Sequence, residues 1–307
     1  MQFKRTKRAI NGVLLLDKPL GFSSNQALQK VKWLFSAAKA GHTGTLDPLA
    51  TGLLPICLGE ATKFAQYVTD ADKTYFATIK LGATTSTGDA EGEVLTTAPV
   101  NVNYTEFEST CKRFLGEISQ MPPMYSALKH EGKALYEYAR AGVNIERKAR
   151  LITIQNVIVN KLNGDVAEIT VSCSKGTYIR TLAEDIGAEL GCGAHLIGLR
   201  RTETAGYLLA NAITIEQLEA LTQQSRDALL LPVDSSIESL QKVVLNVDAA
   251  HFLMLGQAVW IAGNLLKSLS VGDDMRLYDE KNQFIGLGLL QDDGKIAPKR
   301  LIQRSAY

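Results

Sequence analysis

The segment of this chain with the clearest potential for chemistry is a glycine-rich loop at residues 41–52, with the sequence GHTGTLDPLATG. It presents the carboxylate of Asp47 near the imidazole of His42. A carboxylate is ionised at pH 7 and can serve as a nucleophile, and the glycines let the loop take unusual backbone conformations. The alternative is structural, because Asp47 followed by Pro48 is also typical of a helix N-cap and first helical residue. These residues alone do not specify a reaction.

The hydrophobic pattern predicts the elements that flank this loop. Residues 12–17 are a short apolar run typical of a buried strand. Ser23 and Gln26 have the spacing of a capping box, which predicts a helix running to about residue 38. Residues 73–81 alternate between apolar and polar side chains, which predicts a strand after the loop.

Further elements follow without the regular strand–helix–strand spacing of a parallel α/β protein. The sequence predicts a turn at 87–92, a helix at 105–115 and a strand at 166–173. Thr181 and Glu184 fit a second capping box, which predicts a helix beginning there and ending near residue 190. On an extended segment before that helix, Tyr178 and Arg180 would project to the same side. We therefore predict an α+β fold.

The last 60 or so residues have a different character. A short predicted helix near 249–255 leads into predicted strands at 275–278, 284–290 and 296–301, separated by polar turns. The preceding acidic segment contains Pro232 and is a plausible boundary. We therefore predict two domains, residues 1–246 and a smaller β-domain at residues 247–307.

Length and composition are those of a globular protein of about two domains. The chain has 307 residues, of which 46% are hydrophobic and 21% charged, which suits a folded core and argues against long disorder. No apolar run reaches the roughly 18 residues that a membrane-spanning helix needs. The apolar stretch at residues 13–16 is too short for a signal peptide, so we expect a cytoplasmic protein that does not bind membranes.

The cysteines and histidines do not have the spacing of metal ligands. No two of the four cysteines form a C-x-x-C pair, and the four histidines are scattered along the chain. We therefore expect neither a zinc site nor a disulfide framework, but buried, reduced thiols. No phosphate-binding G-x-x-x-x-G-K-[ST] motif is present.

Charge is unevenly distributed along a chain whose net charge is only +1. Residues 1–44 contain eight Lys/Arg and one acidic residue, and residues 121–150 contain six basic and three acidic residues. Residues 294–307 contain four basic residues and no acidic one. Three separated basic segments could converge on one face that binds an anionic ligand, although solvated surface charge explains them equally well.

Seven segments between about residues 10 and 205 resemble, in order, the motifs of one known family. They are GVLLLDKPLG at 12–21, GHTGTLDPLATG at 41–52, DKTY at 72–75, TGDAEG at 87–92, QMPPMYSALKHEGKALYEYARAG at 120–142, KGTYIRTLAEDIG at 175–187 and LIGLRRT at 196–202. The family is TruB, the tRNA pseudouridine-55 synthases. The segment at about 121–150 resembles the family's RNA-gripping insertion. The last 60 or so residues resemble, less specifically, a small PUA-type RNA-binding domain.

The resemblance implies a pseudouridine-synthase fold with a mixed, largely antiparallel central sheet and a PUA-like C-terminal domain. It implies that the protein converts uridine-55 in the T-loop of tRNA to pseudouridine, moving the glycosidic bond from uracil N1 to C5. This isomerisation is redox-neutral, so we expect no cofactor and no metal. The base must be flipped out of the folded RNA and held by stacking and hydrogen bonds. We expect a monomer, because an asymmetric RNA ligand does not require a symmetric enzyme.

The resemblance also implies roles for individual residues. Asp47 matches the nucleophile, and either addition to uracil C6 or attack at ribose C1′ is open. Arg180 matches the arginine that pairs with this aspartate, and Tyr75 matches the residue that stacks on the uracil. The predicted catalytic set is Asp47, Tyr75 and Arg180. The predicted substrate-binding set is His42, Tyr75, Tyr178, Leu199 and Lys18, and the candidates for contacts to the RNA backbone are Lys129, Lys133, Lys299 and Arg300. Without the motifs, these would be read as core residues, turn residues or ordinary surface charges.

Two other functions remain open from the residues themselves. One is a catalytically silent protein that binds or folds tRNA on the same scaffold. A pure binder has no need of Asp47 together with Tyr75, Tyr178 and Arg180, which argues against it. The other is a hydrolase with an aspartate nucleophile, which is disfavoured because no second carboxylate or base is evidently placed to activate water.

Overall fold

Thirteen strands lie before residue 240 in the computed structural model, which describes residues 6–261 and 269–303. They are β1 (Gly12–Lys18), β2 (Ala40–His42), β3 (Ala50–Leu58), β4 (Lys73–Leu81), β5 (Ala83–Thr85), β6 (Val94–Thr97), β7 (Gly116–Gln120), β8 (Lys129–His130), β9 (Lys133–Ala134), β10 (Arg150–Asn163), β11 (Val166–Cys173), β12 (Ala194–Thr204) and β13 (Tyr207–Leu208). The strands predicted at 73–81 and 166–173 have those bounds.

Nine of these strands form one mixed sheet. The order is β1-β3-β12-β4-β11-β10-β7, with β2 paired to β3 and β13 paired to β12. All of the pairings are antiparallel except that of β3 with β12. The α+β class and the largely antiparallel sheet are therefore confirmed. The two short hairpins, β5–β6 and β8–β9, lie outside this sheet.

Eight α-helices accompany the sheets in the described residues. They are α1 (Ser24–Leu34), α2 (Ala65–Asp70), α3 (Tyr104–Lys112), α4 (Leu135–Arg140), α5 (Ile179–Glu189), α6 (Ile215–Ala220), α7 (Gln223–Asp227) and α8 (Val247–Met254). Short 3₁₀ helices occur at Gly59–Lys63, Leu209–Asn211 and Ser235–Ile237. None of the described helices is both long enough and apolar enough to cross a membrane.

Strand β1 is buried on both faces, which explains its continuous apolar sequence. Leu14 and Leu16 belong to the main core between the sheet and the helices. Val13 and Leu15 point the other way, into a second cluster. Pairing with β3 therefore places two core strands next to the loop that carries Asp47.

Helix α1 begins as the sequence predicts but ends earlier. The Ser23 side chain accepts from Gln26 N, and the Gln26 side chain accepts from Ser23 N, completing the capping box. The helix ends at Leu34 rather than near residue 38, because Ser36 takes a left-handed φ of 51°. Ala37 and Ala38 then turn back along the chain, where Ala38 N donates to the carbonyl of Arg8.

The second predicted capping box is wrong. Helix α5 begins at Ile179, with Tyr178 as its N-cap, so Thr181 lies inside the first turn and its hydroxyl has no partner among the described residues. The side chain of Gln120 binds both the backbone N–H and the carbonyl of Tyr178, at 2.8 and 3.1 Å. Arg180 is thus helical, and the prediction that it shares one side of an extended segment with Tyr178 is also wrong.

The C-terminal part contains a separate four-stranded sheet. Its strands are β14 (Lys242–Val244), β15 (Asp274–Tyr278), β16 (Phe284–Leu290) and β17 (Ile296–Leu301), in chain order. The sheet packs with α8 around its own apolar cluster. Because β14 precedes residue 247, the predicted boundary there would separate one strand from its sheet.

Contacts join this second sheet to the larger part of the chain. Phe64, Ile237 and Leu287 form a shared buried cluster. Lys63 Nζ donates to the carbonyl of Leu301 at 2.8 Å, and the Tyr67 hydroxyl donates to Asp274 at 2.5 Å. The second sheet therefore packs against the segment that includes α2.

Candidate active site

A cavity of about 310 Å³ lies where the Asp47 loop, strands β4 and β12 and the start of helix α5 meet. Four of the predicted site residues, Tyr75, Tyr178, Arg180 and Leu199, line it together with Asp47. A larger open groove, of about 930 Å³, runs beside Lys80 and Tyr104. The predicted site residues do not line that groove, so the smaller cavity is the candidate active site.

The Asp47 loop is tied to helix α1 by one buried serine. Ser24 Oγ donates to the carbonyl of Leu46 at 3.0 Å and accepts from its N–H at 2.7 Å. No helix begins at Pro48. The N–H of Ala50 instead bonds the carbonyl of Asp47 at 3.0 Å, and the chain enters β3 directly. Asp47 is therefore not a helix N-cap, which removes the structural alternative, and its side chain lines the cavity.

Arg180 links two carboxylates at the edge of the cavity. Its guanidinium nitrogens lie 3.1 Å from Asp47 Oδ2 and 3.3 Å from Asp89 Oδ2. They also donate to the carbonyls of Tyr125 and Thr87. The Arg180 side chain is 7% exposed, whereas that of Asp47 is 43% exposed. The arginine is thus a buried, fully engaged anchor that leaves one face of Asp47 open.

Opposing influences set the charge of Asp47. Desolvation by the surrounding protein is the largest, and it raises the pKa of Asp47 above its ordinary value. The Arg180 guanidinium lowers the pKa, Asp89 raises it and Lys18 lowers it. Asp47 is therefore a carboxylate whose ionisation depends on two neighbouring cations.

Tyr75 lies on β4 with its ring buried at 8% exposure beside the cavity. Burial raises the pKa of Tyr75, while the nearby Arg201 guanidinium lowers it. The net shift is upward, so the phenol is protonated at neutral pH. Tyr75 can therefore contact a bound molecule through its aromatic ring and through a neutral hydroxyl.

Tyr178 and Leu199 complete the apolar part of the wall. Tyr178 is held at the N-cap of α5 by Gln120, and burial raises the pKa of its phenol. Leu199 lies on β12 opposite Ala77 of β4 and is partly buried. A planar ring bound in the cavity would contact these side chains.

Two predicted substrate-binding residues are not brought to the cavity. His42 lies on β2, and burial lowers the pKa of its imidazole. Lys18 is 0% exposed, and its ammonium donates to the carbonyls of Pro19 and Phe22 at 3.0 and 2.5 Å. Lys18 therefore lies beneath the surface, and its assignment as a substrate-binding residue stays a prediction. Burial lowers the pKa of Lys18 to about 8.

Family comparisons cover almost the whole chain. The TruB family pseudouridylate synthase N-terminal domain matches residues 32–179. The tRNA pseudouridylate synthase B C-terminal domain matches residues 180–250, and the C-terminal domain of pseudouridine synthase II TruB matches residues 242–302. The chain belongs to the TruB family.

Individual relatives agree with this assignment. The tRNA pseudouridine synthase B of Methylobacillus flagellatus is 60% identical over 99% of both chains. That of Neisseria meningitidis serogroup B is 55% identical over 94% of this chain and 93% of its own. A chain in the crystal structure of a Cbf5-Nop10-Gar1 complex superposes with a TM-score of 0.70 at 25% identity, covering 95% of this chain and 84% of that one.

The remaining predicted residues of this TruB-family chain lie on the surface. Lys129 and Lys133 occupy the β8–β9 hairpin within the insertion, where Lys133 Nζ lies 4.8 Å from the ring centroid of Tyr138. Lys299 is on β17 and is paired with Asp274 at 2.6 Å. Arg300 follows it and is exposed, whereas residues 304–307 at the basic C-terminus lie outside the described residues.

Sequence reasoning missed three charged residues of the site. Asp89 lies in the predicted TGDAEG turn, but nothing in that turn indicates a pair with Arg180. Lys73 lines the cavity, and its position two residues before Tyr75 on the alternating strand was a usable signal. Arg201 also lines the cavity. The sequence alone does not show whether Arg200 or Arg201 faces the cavity, because this depends on the register of β12.

The described residues were also compared with the ligand sets of metal sites. Within residues 6–261 and 269–303, no three His, Cys, Asp or Glu side chains are grouped to hold a metal ion. All four cysteines are buried and free.

Proposed function

We propose that this chain converts uridine to pseudouridine in tRNA, at position 55 of the T-loop. The observation that carries the proposal is the half-exposed Asp47 carboxylate, held by the buried Arg180 at the edge of an aromatic-lined cavity. Membership of the TruB family and the full-length relatives named tRNA pseudouridine synthase B support the reaction and the tRNA substrate. The T-loop position comes from the motif resemblance.

In this proposal Asp47 is the nucleophile. Arg180 holds its carboxylate in place and opposes the desolvation that raises its pKa. One oxygen either adds to uracil C6, after which the N1–C1′ bond breaks, or attacks ribose C1′ and displaces the uracil at N1. In both routes C5 then bonds to C1′ and the Asp47 carboxylate is released. The proton at C5 is lost and N1 gains one, so the product is an isomer of the substrate.

Tyr75, Tyr178 and Leu199 enclose the flipped uracil in this proposal. Their side chains line the cavity next to Asp47. Aromatic rings and apolar side chains hold an unstacked base by stacking and contact. His42 lies on the neighbouring strand β2, so we assign it to contacts with RNA outside the cavity.

RNA outside the cavity meets basic side chains in two places. Lys129 and Lys133 project from the insertion, and Lys299 and Arg300 lie on the C-terminal sheet. We assign all four to the RNA backbone, since lysine and arginine neutralise phosphates. We further propose that the protein is cytoplasmic and acts as a monomer, and that its second domain begins before Lys242.

A silent RNA binder on the same scaffold explains the site less well. Arg180 is buried and pairs with two carboxylates, and removing such charges from water carries a large desolvation cost. A carboxylate aimed into a cavity adds charge repulsion towards an RNA backbone. Nucleophilic chemistry explains why that carboxylate is there.

The test is conversion of uridine in an unmodified tRNA transcript. Asp47→Asn keeps the shape of the side chain and removes its charge, so turnover falls by about 10⁴-fold or more while tRNA binding is largely kept. Tritium release from uracil C5 measures turnover, and Asp165→Asn, at a surface ion pair with Lys80, is the matched control. Substantial turnover by Asp47→Asn would show that Asp47 is not the nucleophile.

A further inference from the structure

Arg201 is a buried cation without a carboxylate partner. Its side chain is 1% exposed, its Nε donates to the carbonyl of Leu53 at 2.7 Å, and its guanidinium also interacts with the hydroxyl of Tyr75, which carries no charge. Its Nη2 has no partner, and no carboxylate of the described residues pairs with it. An unpaired buried charge carries a large desolvation cost, so its retention here calls for an explanation.

The register of the central sheet places this cation at the active site. Arg201 of β12 lies directly opposite Tyr75 of β4, and directly opposite residues of paired strands project to the same face. Both residues line the cavity that contains Asp47. A Cβ added at Gly44 would lie 3.5 Å from Arg201 Nη1, so the guanidinium lies beside the Asp47 loop.

The other cations at the cavity are already engaged. Arg180 is balanced by Asp47 and Asp89. Lys73 donates its ammonium to backbone carbonyls of Val68, Thr69 and Ala71. Arg201 is thus the cation among the cavity-lining residues that keeps an unpartnered nitrogen, and its charge, like that of Lys73, is not balanced by a carboxylate.

A purely structural role accounts for only part of this arrangement. The Nε bond to Leu53 ties β12 to β3, and a neutral donor could do the same. The bond between β12 and β3 explains neither the positive charge of Arg201 nor its unpartnered Nη2. Both are explained if negative charge forms nearby during the reaction.

Each of the two chemical routes produces such a charge on the uracil ring. If Asp47 adds to C6, the C5=C6 electron pair moves through C4 onto O4 as an enolate. If the N1–C1′ bond breaks instead, its electron pair stays on the uracil and is shared by N1, O2 and O4. In both routes the ring carries one negative charge, which is removed when C5 bonds to C1′, the C5 proton leaves and N1 is protonated.

We propose that Arg201 stabilises the negative charge that develops on the uracil ring. The proposal rests on the isomerisation proposed above. A fixed cation in a water-poor site stabilises developing charge without reorganisation, which is why such groups contribute strongly to catalysis. The inference does not depend on which route Asp47 follows, because the ring becomes anionic in both.

The test compares Arg201→Met with the wild-type protein on two T-arm hairpins, one with uridine and one with 5-fluorouridine at the target position. Fluorine at C5 withdraws electrons and itself stabilises an anionic ring. With enzyme in excess, the rate of loss of the N1 glycosidic bond falls by about 10²- to 10³-fold for uridine. The loss is at least about tenfold smaller for 5-fluorouridine, and the affinity for RNA is unchanged.

Two further variants control for charge and position. Arg201→Lys keeps the charge and retains more of the rate than Arg201→Met. Arg200→Met changes the neighbouring arginine, which is 41% exposed and paired with Asp17, and leaves the rate close to that of the wild type. Circular dichroism checks each fold. Arg201→Gln, whose amide can still donate to Leu53, replaces the methionine variant if that variant does not fold.

Equal decreases in rate for the two hairpins would overturn the proposal. A wild-type rate in the neutral variants, or a change in RNA affinity without a change in rate, would also overturn it. If neither neutral variant folds, Arg201 is a structural residue and the proposal is also overturned. Failure of the wild-type protein to convert the uridine hairpin would instead overturn the proposed function.

Discussion

At the scale of single residues, the charged side chains of the site differ in how far they are exposed to solvent. Arg180 is buried and bound to two carboxylates, whereas the Asp47 side chain opens onto the cavity. This inequality lets a substrate reach the carboxylate without displacing the arginine. Lys18 is a second cation that favours the ionised form of Asp47, because its charge lowers the pKa of that carboxyl.

Lys18 provides a test of that electrostatic arrangement through pH. The pKa of Asp47 is raised, so turnover requires a pH above the ordinary range for aspartate. Removing a nearby cation favours the neutral acid, so Lys18→Met raises the pKa of Asp47 further and moves the acid limb of the kcat profile to higher pH. Lys161→Met, at an exposed position on β10, is the control. An unmoved acid limb in Lys18→Met would contradict the coupling.

Tyr75 combines a ring and a hydroxyl whose contributions can be separated. Tyr75→Phe keeps the ring, so RNA binding is retained, but it removes a buried polar group beside Asp47 and Arg201. We expect turnover to fall by about 10²-fold, the size of a proton-transfer contribution. Tyr75→Leu removes the ring as well and weakens both binding and turnover. Full activity in both variants, measured by tritium release, would exclude Tyr75 from the site.

At the scale of elements, helix α1 positions the catalytic loop from a distance in sequence. Ser23 caps the helix, and the next residue, Ser24, bonds both backbone groups of Leu46, directly before Asp47. The same two-residue segment therefore starts the helix and fixes the loop.

Substitution of these two serines separates the two tasks. Ser24→Ala leaves two buried backbone groups of Leu46 unpaired, so we expect a loss of about 1–3 kcal/mol in the free energy of unfolding together with a lower kcat. Ser23→Ala removes only the cap and costs about 1 kcal/mol, with kcat unchanged. Urea unfolding and single-turnover rates measure the two effects. A similar kcat in both variants would show that Ser24 does not position Asp47.

At the scale of the whole molecule, two sheets with separate cores share one small apolar contact. Phe64, 0% exposed, packs its ring against Phe284 with centroids 5.5 Å apart. The residues that line the cavity all lie in the larger part of the chain. We therefore expect the second sheet to affect chemistry through RNA binding or through its packing and hydrogen bonds with the segment that includes α2.

Truncation tests this division of labour. A chain ending at residue 241 removes the whole second sheet, including β14, and leaves the cavity residues in place. We expect weaker binding of full-length tRNA and a modest effect on conversion of an isolated T-arm hairpin, with circular dichroism confirming that the remaining core is folded. A folded truncation that no longer converts the hairpin would mean that the C-terminal sheet helps to build the active site.

Local sequence patterns predicted much of the fold. The alternation at residues 73–81 and 166–173 produced strands with those bounds, because a half-buried strand requires a period of two. The capping box at Ser23 is satisfied by atoms within four residues. Motif resemblance, rather than residue chemistry alone, identified Asp47, Tyr75, Tyr178, Arg180 and Leu199 as one site.

Tertiary structure decided the features that depend on distant partners. Helix α5 begins at Ile179 and not at the predicted capping box, because Gln120, 58 residues away, binds the backbone of Tyr178. Asp47 lies in a turn because the chain enters β3 at Ala50, so the helix start that Asp47 and Pro48 could also have formed does not occur. Only the register between β4 and β12 buried Arg201 beside Tyr75 and left Arg200 outside. Local patterns encode periodicity and caps, but long-range pairing determines which charges meet.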